Sequence, residues 1–167
     1  MAQSKLMQKK FTADHDSLGR AVRSLQADGK SVVFTNGCFD VLHIGHIDFL
    51  KFCKEQGDIV VLGLNSDTSV RQIKGPKRPI NNQHDRASVL AALETVDYIV
   101  IFDEPDPLKM IELVKPDILV KGADWEKKGV IGREFVESCG GKVVLAPLVD
   151  GKSSTDTIEK IQSLNDK

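Results

Sequence analysis

Long apolar runs are missing from this chain of 167 residues. The longest unbroken aliphatic stretch, IVVL at 59–62, is far too short to cross a membrane, for which a helix needs about 20 residues. The basic start, MAQSKLMQKK, continues into polar residues, whereas a secretory signal peptide needs an apolar segment there. We therefore predict a cytoplasmic protein with no membrane partner.

Cysteine and net charge are also scarce. Cys38, Cys53 and Cys139 are odd in number, lie far apart and form no CxxC pair, which argues against a disulfide framework and against structural zinc. The 23 Lys and Arg residues nearly balance the 24 Asp and Glu residues, so overall charge gives no reason to expect a nucleic-acid partner. The length fits one domain with a sizeable core.

Two common phosphate-binding fingerprints are absent as well. No GxGxxG follows the first predicted strand, so a dinucleotide oxidoreductase lacks its main support. GKS at 151–153 resembles the end of a P-loop, but the first glycine of that motif would fall at Ala146. The segment also does not match strand, loop and helix in that order, and we exclude a P-loop.

What the sequence does contain is an alternation of strands and helices. Short apolar runs predict strands over 31–36, 58–64, 97–102, 117–122 and 142–147. Helical spacing predicts a first helix that ends at Gly29, and further helices over 44–57, 82–96, 106–115, 131–139 and 154–164. Continuous apolar strands separated by helices indicate an α/β fold with a parallel sheet covered on both faces.

Ligands of open α/β sheets bind beyond the carboxyl ends of the strands. Glycine, polar and basic residues concentrate after the predicted strand ends, in TNGCFDVLHIGH (35–46), LNSDTSVRQIKGPKRP (64–79), FDEPDP (102–107), VKGADW (120–125) and APLVDGKSST (146–155). Residues 71–81 show no clear element and contain four cations but no acid. A loop of that length in a compact domain is often functional.

His43 and His46 flank Gly45 three residues apart. As metal ligands they lack an obvious third partner, and as structural residues one could cap a helix while the other packs. Alternatively, both rings surround a helix N-terminus, where N–H groups and the helix dipole favour anions. Gly45 would then let a phosphate approach the backbone closely, and the donors would stabilise charge on a phosphate under attack.

These residues lie in a segment, TNGCFDVLHIGH, that resembles the signature of the cytidylyltransferase-like nucleotidyltransferase superfamily, with its HxGH motif at 43–46. LNSD (64–67), KGPKRP (74–79), DRASVLAALETVD (85–97), PDILVKGADW (116–125) and SSTDTI (153–158) follow in that superfamily's order and spacing. The set is most similar to the adenylyltransferases of ADP-heptose synthesis. The resemblance implies a Rossmann-like parallel five-stranded sheet with helices on both faces. It also implies a single globular unit, with an N-terminal extension and helix (1–30) before a nucleotidyltransferase domain (31–167).

The resemblance further implies the roles of individual residues. The catalytic residues would be His43, His46, Lys74 and Arg78. The nucleotide would be bound by Thr35, Asn36, Gly37, Cys38, Phe39, Gly45, Lys121, Gly122, Asp124, Trp125, Ser154 and Thr155. The other substrate would be bound by Asp40, Asn65 and Asp67. No dedicated metal site is expected, because Mg²⁺ would arrive with the nucleotide, with Asp40 the one candidate ligand.

Some of these positions have structural alternatives. Ser154 and Thr155 could equally cap the last helix, Asp40 could cap a turn, and Trp125 could be a packing residue. Arg86, on a predicted helix, is interpreted as a structural ion-pair partner. Asp156 stands where related proteins carry another Ser or Thr, and an acid beside phosphate costs binding unless Mg²⁺ intervenes or the side chain points away.

The implied reaction joins ATP to D-glycero-D-manno-heptose 1-phosphate, with Mg²⁺, and yields ADP-heptose and pyrophosphate for lipopolysaccharide or a similar glycan. The family suggests a homodimer, and a separate heptose kinase would supply the sugar 1-phosphate. The nearest alternative is a glycerol-3-phosphate cytidylyltransferase, although PLVDGKSST (147–155) lacks the arginine usual there. An alternative of another class is a nucleotide-binding regulatory module without catalysis.

Overall fold

The computed structural model describes residues 10–12, 14–148, 151 and 153–165. Its strands are β1 (Val32–Gly37), β2 (Ile59–Asn65), β3 (Tyr98–Phe102), β4 (Ile118–Gly122) and β5 (Lys142–Ala146). The helices in the described part of the chain are α1 (His15–Ala27), α2 (Ile44–Gln56), α3 (Asp67–Lys74), α4 (Gln83–Ala91), α5 (Leu108–Val114), α6 (Arg133–Ser138) and α7 (Ser154–Asn165). A short 3-10 helix, Ala123–Trp125, follows β4.

All neighbouring strands pair in parallel, in the order β3-β2-β1-β4-β5. This confirms the predicted Rossmann-like sheet of five parallel strands with helices around it. The chain runs outward from β1 to β3 on one side and then crosses to β4 on the other side of β1. The carboxyl ends of β1 and β4 therefore border the crevice in which such sheets bind ligands.

The two faces of the sheet bury separate sets of apolar side chains. Phe34 of β1 packs with residues of α1, α5 and α6 on one face. Val33, its neighbour in the strand, packs with Cys53 of α2 on the opposite face, as alternation along a strand requires. Because both faces are covered, β1 is a continuous apolar run up to Thr35 and becomes polar only where it reaches the crevice.

The outer edge of β3 is covered by the segment before α1. Phe11 forms a parallel bridge to Ile99, and the N–H of Thr12 donates to the carbonyl of Ile99 at 2.9 Å. Nε2 of His15 lies 3.0 Å from the carbonyl of Ile101. This segment therefore continues the hydrogen-bonding pattern of the sheet by a short stretch beyond β3.

Two sequence-based predictions were wrong in their bounds. Residues 71–74, predicted as loop, form the end of α3, which begins where Ser66 Oγ accepts the N–H of Ser69 at 3.1 Å. The sequence did not indicate this helix, because its eight residues are mostly polar and give little apolar periodicity. The helix predicted over 82–96 ends at Ala91, since the chain must turn there to enter β3.

Among the described residues, none of the helices is long and apolar enough to cross a membrane.

Candidate active site

A cavity of about 710 Å³ opens at the carboxyl end of the sheet, over the crevice between β1 and β4. Most of the predicted site residues line it: Asn36, Gly37, Cys38, Phe39, Asp40, His43, Gly45, His46, Asn65, Lys74, Arg78, Lys121, Asp124, Trp125, Ser154 and Thr155. These residues come from five stretches of the chain: 36–46, Asn65, 74–78, 121–125 and 154–155. The fold thus gathers into one cavity the groups that the sequence spreads over about 120 positions.

Three predicted residues lie outside the cavity lining. Thr35 is fully buried in β1. Asp67 begins α3, and its Oδ1 accepts from Nη2 of Arg86 at 2.7 Å. Gly122 ends β4, and a Cβ there would lie only 2.6 Å from Oδ1 of Asp124. These three therefore do not line the cavity, although Gly122 leaves room for the Asp124 carboxylate, which does.

The two histidines stand at the N-terminus of α2. His43 is the N-cap residue and His46 lies in the first turn, with ring centroids 4.0 Å apart. The backbone N–H of His43 donates to Nδ1 of His46 at 3.3 Å, so the proton of a neutral His46 ring lies on Nε2. Burial, together with the nearby His43, lowers the pKa of His46 to about 4. His46 is therefore a neutral N–H donor near pH 7.

The loop from β1 to α2 has an unusual backbone. Phe39 and Val41 both have left-handed conformations, with φ of 46° and 51°. Such φ values are uncommon for non-glycine residues and are seen where the surrounding structure enforces them, often at functional sites. The loop places Phe39 with its ring centroid 5.4 Å from that of His46.

Arg86 of α4 joins four segments beneath this loop. It is buried, and its Nη1 donates to the carbonyls of Cys38 at 2.6 Å and Asn65 at 2.9 Å. Its Nε donates to the carbonyl of Asn81 at 3.0 Å, and its Nη2 pairs with Asp67 at 2.7 Å. The interpretation of Arg86 as a structural ion-pair partner is confirmed, and its reach extends to the ends of both β1 and β2.

Residues 75–81, here called the basic loop, follow α3. Gly75 ends the helix with φ of 93°. Nε and Nη2 of Arg78 each lie 2.9 Å from Oδ2 of Asp40, and the N–H groups of Ile80 and Asn81 donate to the same carboxylate at 2.7 and 2.9 Å. Burial acts to raise the pKa of Asp40, but these two N–H groups and Arg78 outweigh it and lower the pKa.

Lys121 spans the crevice from β4 to β1. Its Nζ donates to Oδ1 of Asn36 and lies 5.5 Å from the ring centroid of Trp125. Lys128 approaches that ring to 5.4 Å. Burial lowers the pKa of Lys121 to about 8, with Asp124 opposing the shift. Lys121 is therefore a cation near pH 7 that an anionic ligand would stabilise.

The start of α7 forms the opposite wall. Ser153 Oγ accepts the N–H of Asp156 at 3.0 Å, so the capping residue is Ser153 rather than Ser154 or Thr155. Ser154 Oγ instead donates to the carbonyl of Asp40 at 2.5 Å. Thr155 and Asp156 are exposed and line the cavity. The acid at 156 lies in the first turn, where the helix dipole favours it.

Sequence reasoning missed the apolar walls of the cavity. These are formed by Phe49, Ile73, Pro105, Pro107, Ile131, Pro147 and Leu148. The two prolines at 105 and 107, and Pro147 with Leu148, lie in segments that follow predicted strand ends, so topology could have identified them. Ile73 also lies in such a segment, over 64–79, whereas Phe49 and Ile131 carried no such signal. A polar floor with apolar walls is typical of a small-molecule site.

Among the residues that the structure describes, no three or more His, Cys, Asp and Glu side chains lie close enough together to hold a metal ion. Asp124 and Asp156 are nevertheless carboxylates in the lining. Mg²⁺ commonly uses one or two carboxylates together with substrate phosphates and water. The donors present therefore fit an ion brought by a nucleotide.

The chain is similar to proteins of known family. The model of the cytidylyltransferase-like family matches residues 34–158. Bifunctional protein HldE of Geobacter metallireducens is 53% identical over 146 residues, which make up 87% of this chain and 30% of that protein. The chain thus spans less than a third of that relative's length.

Two solved structures resemble the fold. The crystal structure of the lipopolysaccharide core biosynthesis protein from Thermoplasma volcanium matches with a TM-score of 0.60 and 30% identity, over 74% of this chain and 100% of that one. Pantoate-beta-alanine ligase from Francisella tularensis matches with a TM-score of 0.64 over 95% of this chain and 78% of that one. At 18% identity, the second likeness concerns the fold alone.

Proposed function

Since the chain belongs to the cytidylyltransferase-like family and is a nucleotidyltransferase, we propose that it joins ATP to D-glycero-D-manno-heptose 1-phosphate. The products are ADP-heptose and pyrophosphate, for lipopolysaccharide or a related glycan. The sugar assignment is supported by motifs that resemble the ADP-heptose adenylyltransferases. A relative named for lipopolysaccharide core biosynthesis, 30% identical to this chain, is consistent with it.

The observation that carries the proposal is one cavity that combines a neutral imidazole donor with several cations. His46 offers Nε2–H at a helix N-terminus, and Lys74, Arg78 and Lys121 line the same space. Burial raises the pKa of the Cys38 thiol, against the opposing effect of Lys74, Arg86 and Arg78. The lining cysteine is therefore not a thiolate nucleophile, and direct transfer between two bound substrates fits better than a covalent enzyme intermediate.

The proposed step is a displacement at phosphorus. An oxygen of the sugar phosphate attacks the α-phosphorus of ATP, the bond from that phosphorus to the oxygen bridging to the β-phosphate breaks, and pyrophosphate leaves with the electron pair. Such a reaction depends on positioning and charge stabilisation. We assign His43 and His46 to the α-phosphate, and Lys74, Arg78 and Lys121 to the surrounding anionic oxygens.

Other residues have supporting roles in this proposal. Asn36, Gly37, Phe39, Gly45, Trp125, Ser154 and Thr155 would contact the nucleotide, and Asn65 would lie on the sugar side. Mg²⁺ carried by the triphosphate would neutralise its charge, with Asp124 or Asp156 as a carboxylate ligand. We further expect the protein to be a cytoplasmic homodimer. A separate heptose kinase would make the sugar 1-phosphate.

Pyrophosphate release with a substrate panel tests the proposal. Four nucleoside triphosphates are paired with sugar 1-phosphates, glycerol 3-phosphate and phosphopantetheine, and the double variant H43A/H46A is the control for each pair. We expect the highest kcat/KM with ATP and heptose 1-phosphate, in the presence of Mg²⁺. A preference for CTP with glycerol 3-phosphate would overturn the substrate assignment, and nucleotide binding without turnover on any pair would favour a regulatory module.

A further inference from the structure

The Asp40 carboxylate is enclosed by protein. Its side chain is 0% exposed, and the basic loop supplies its hydrogen-bond donors: the guanidinium of Arg78 and the N–H groups of Ile80 and Asn81. A Mg²⁺ ion keeps several waters when it binds protein, and a buried carboxylate with these partners offers no surface to a hydrated ion. Asp40 is thus badly placed for the ligand role that the sequence suggested.

The main chain of Asp40 holds a third segment at the same point. Ser154 Oγ, in the first residue of α7, donates to the Asp40 carbonyl at 2.5 Å. Phe39 and Val41, on either side, have φ of 46° and 51°. A backbone of this kind persists only where its surroundings impose it. The partners of Asp40 therefore fix the loop after β1, the basic loop and the start of α7 relative to one another.

We infer that Asp40 is a positioning residue, which holds the basic loop and Arg78 in their working arrangement before any substrate binds. The expected effect of Asp40 on catalysis rests on the proposed function, in which Arg78 binds anionic phosphate oxygens. The arrangement itself does not depend on the proposed reaction, because all of its contacts are within the protein.

Arg78 can serve Asp40 and a ligand together. Its Nε and Nη2 both face Oδ2 of Asp40, while Nη1 makes no hydrogen bond within the residues that the structure describes. The side chain is 14% exposed and lines the cavity. Because the guanidinium is a rigid planar fork, fixing one edge on Asp40 fixes the direction of the other. Asp40 therefore orients the Arg78 side chain through Nε and Nη2 and leaves Nη1 to donate to a ligand.

The variant Asp40→Asn tests this with little change in shape. An amide keeps one acceptor oxygen but turns the other end into an NH₂ donor. At the position of Oδ2 that donor would face Arg78 and the N–H of Ile80, and at the position of Oδ1 it would face the N–H of Asn81, all of which are donors themselves. We expect the basic loop to be released in the unliganded protein, with amide hydrogen exchange at Ile80 and Asn81 faster by about tenfold or more.

Trypsin gives a second measure of loop release. It does not cleave before proline, so Arg78–Pro79 resists, and the susceptible bonds of this region follow Lys74 and Lys77. Both should be cut faster in Asp40→Asn without ligand. Asp97→Asn is the matched control, because Asp97 also accepts from a cation and a backbone N–H, Lys54 Nζ at 2.7 Å and Val60 at 2.8 Å, but does not line the cavity. The control should leave exchange and cleavage in the basic loop unchanged.

Kinetics separate positioning from metal ligation. With ATP, heptose 1-phosphate and Mg²⁺, we expect Asp40→Asn to lower kcat/KM by about a hundredfold while the Mg²⁺ concentration for half-maximal rate stays the same. If wild type shows no transfer, the proposed function fails, whereas the exchange and cleavage results still decide the role of Asp40. If Asp40→Asn does not fold, Asp40→Glu carries the test, since it keeps the charge but its longer side chain moves the carboxylate away from Arg78, Ile80 and Asn81.

Two results would overturn the inference. One is an unliganded Asp40→Asn protein, or its Asp40→Glu substitute, whose basic loop exchanges and is cleaved as in wild type. The other is a large rise in the Mg²⁺ requirement of Asp40→Asn with the loop still protected, which would make Asp40 a metal ligand.

Discussion

Both ends of the sheet contain aspartates whose carboxylates accept backbone N–H groups, but these hydrogen bonds serve different purposes at the two ends. At the amino ends of the strands, Asp58, Asp97 and Asp117 accept the N–H groups of Ser31, Val60 and Val32 at 2.9, 2.8 and 2.8 Å. Each bond joins the start of one strand to the turn before a neighbour. At the carboxyl end, Asp40 accepts N–H groups in the same way, but the segments joined are walls of a cavity.

The carboxyl end differs in burial and in backbone conformation. Arg86, Asp40 and Lys121 are buried there, and two non-glycine residues, Phe39 and Val41, have positive φ. The pKa values of His46 and Lys121 are lowered to about 4 and about 8. Buried charge therefore concentrates at the end that carries the cavity. Positive φ is less one-sided, because Lys115, which ends α5 near the amino end of β4, has φ of 47°.

The strongest test of this contrast compares two ion pairs of equal length. Arg86–Asp67 and Lys54–Asp97 are both 2.7 Å long, but the Arg86 side chain is 1% exposed and that of Lys54 35%. We expect Arg86→Met to lower the free energy of unfolding by about 3–5 kcal/mol, because it leaves Asp67 and three carbonyls without their partner. Lys54→Met should cost about 1 kcal/mol or less. Chemical denaturation measures both, and equal losses would remove the distinction.

The next largest effect should come from His46→Ala. It should reduce kcat by about a hundredfold or more, the scale of losing one charge-stabilising donor, with little change in the unfolding midpoint. Because the pKa of His46 is about 4, the ring stays neutral above pH 5, and titration of His46 should contribute no inflection to wild-type kcat above that pH. His84→Ala, at an exposed helical position, is the control. An active His46→Ala enzyme would contradict the assignment.

A smaller, pH-dependent effect should come from Lys121. With its pKa lowered to about 8, the amine is protonated below that pH and loses its charge as pH rises through it. ATP affinity should therefore be nearly constant from pH 6 to 7 and fall on the order of tenfold by pH 9. Calorimetric titration across this range measures it. Lys121→Met should flatten the profile and Lys128→Met should not; the reverse pattern would place the titrating group elsewhere.

The smallest expected effect distinguishes two lysines of neighbouring sequence. Lys74 lines the cavity and Lys77 does not. Lys74→Ala should raise KM for one phosphorylated substrate by a few-fold to about tenfold, the scale of one exposed charge contact, while Lys77→Ala should change it less than about twofold. Steady-state kinetics at two salt concentrations would check the electrostatic origin, since added salt should shrink the difference. Similar KM values for the two variants would show that Lys74 contributes no more to substrate binding than an ordinary surface charge.

The sequence allowed the sheet to be predicted because each strand is a short apolar run between helices, and the observed strand bounds differ by one residue. It also allowed most of the cavity lining to be predicted, through motifs that follow strand ends. The partners of these residues could not be predicted. Arg86 meets Cys38 across 48 positions and Ser154 meets Asp40 across 114, so these contacts depend on how the loops close.

Capping shows the same limit on a local scale. Ser153, Ser154 and Thr155 are adjacent residues with similar hydroxyl groups, and any of them could begin a helix. In the structure, Ser154 Oγ donates to the carbonyl of Asp40, and Ser153 Oγ is the cap that accepts the N–H of Asp156. Local propensity ranks these residues equally, and it does not show which hydroxyl contacts a segment 114 positions away.

The segment before α1 has a consequence for behaviour in solution. A strand edge with unpaired N–H and C=O groups is a template for pairing with another chain. Thr12 and the bridge at Phe11 occupy part of that edge on β3. They therefore hinder a second chain from pairing with β3. A chain trimmed to begin at α1 should fold with its cavity intact and yet self-associate as its concentration rises.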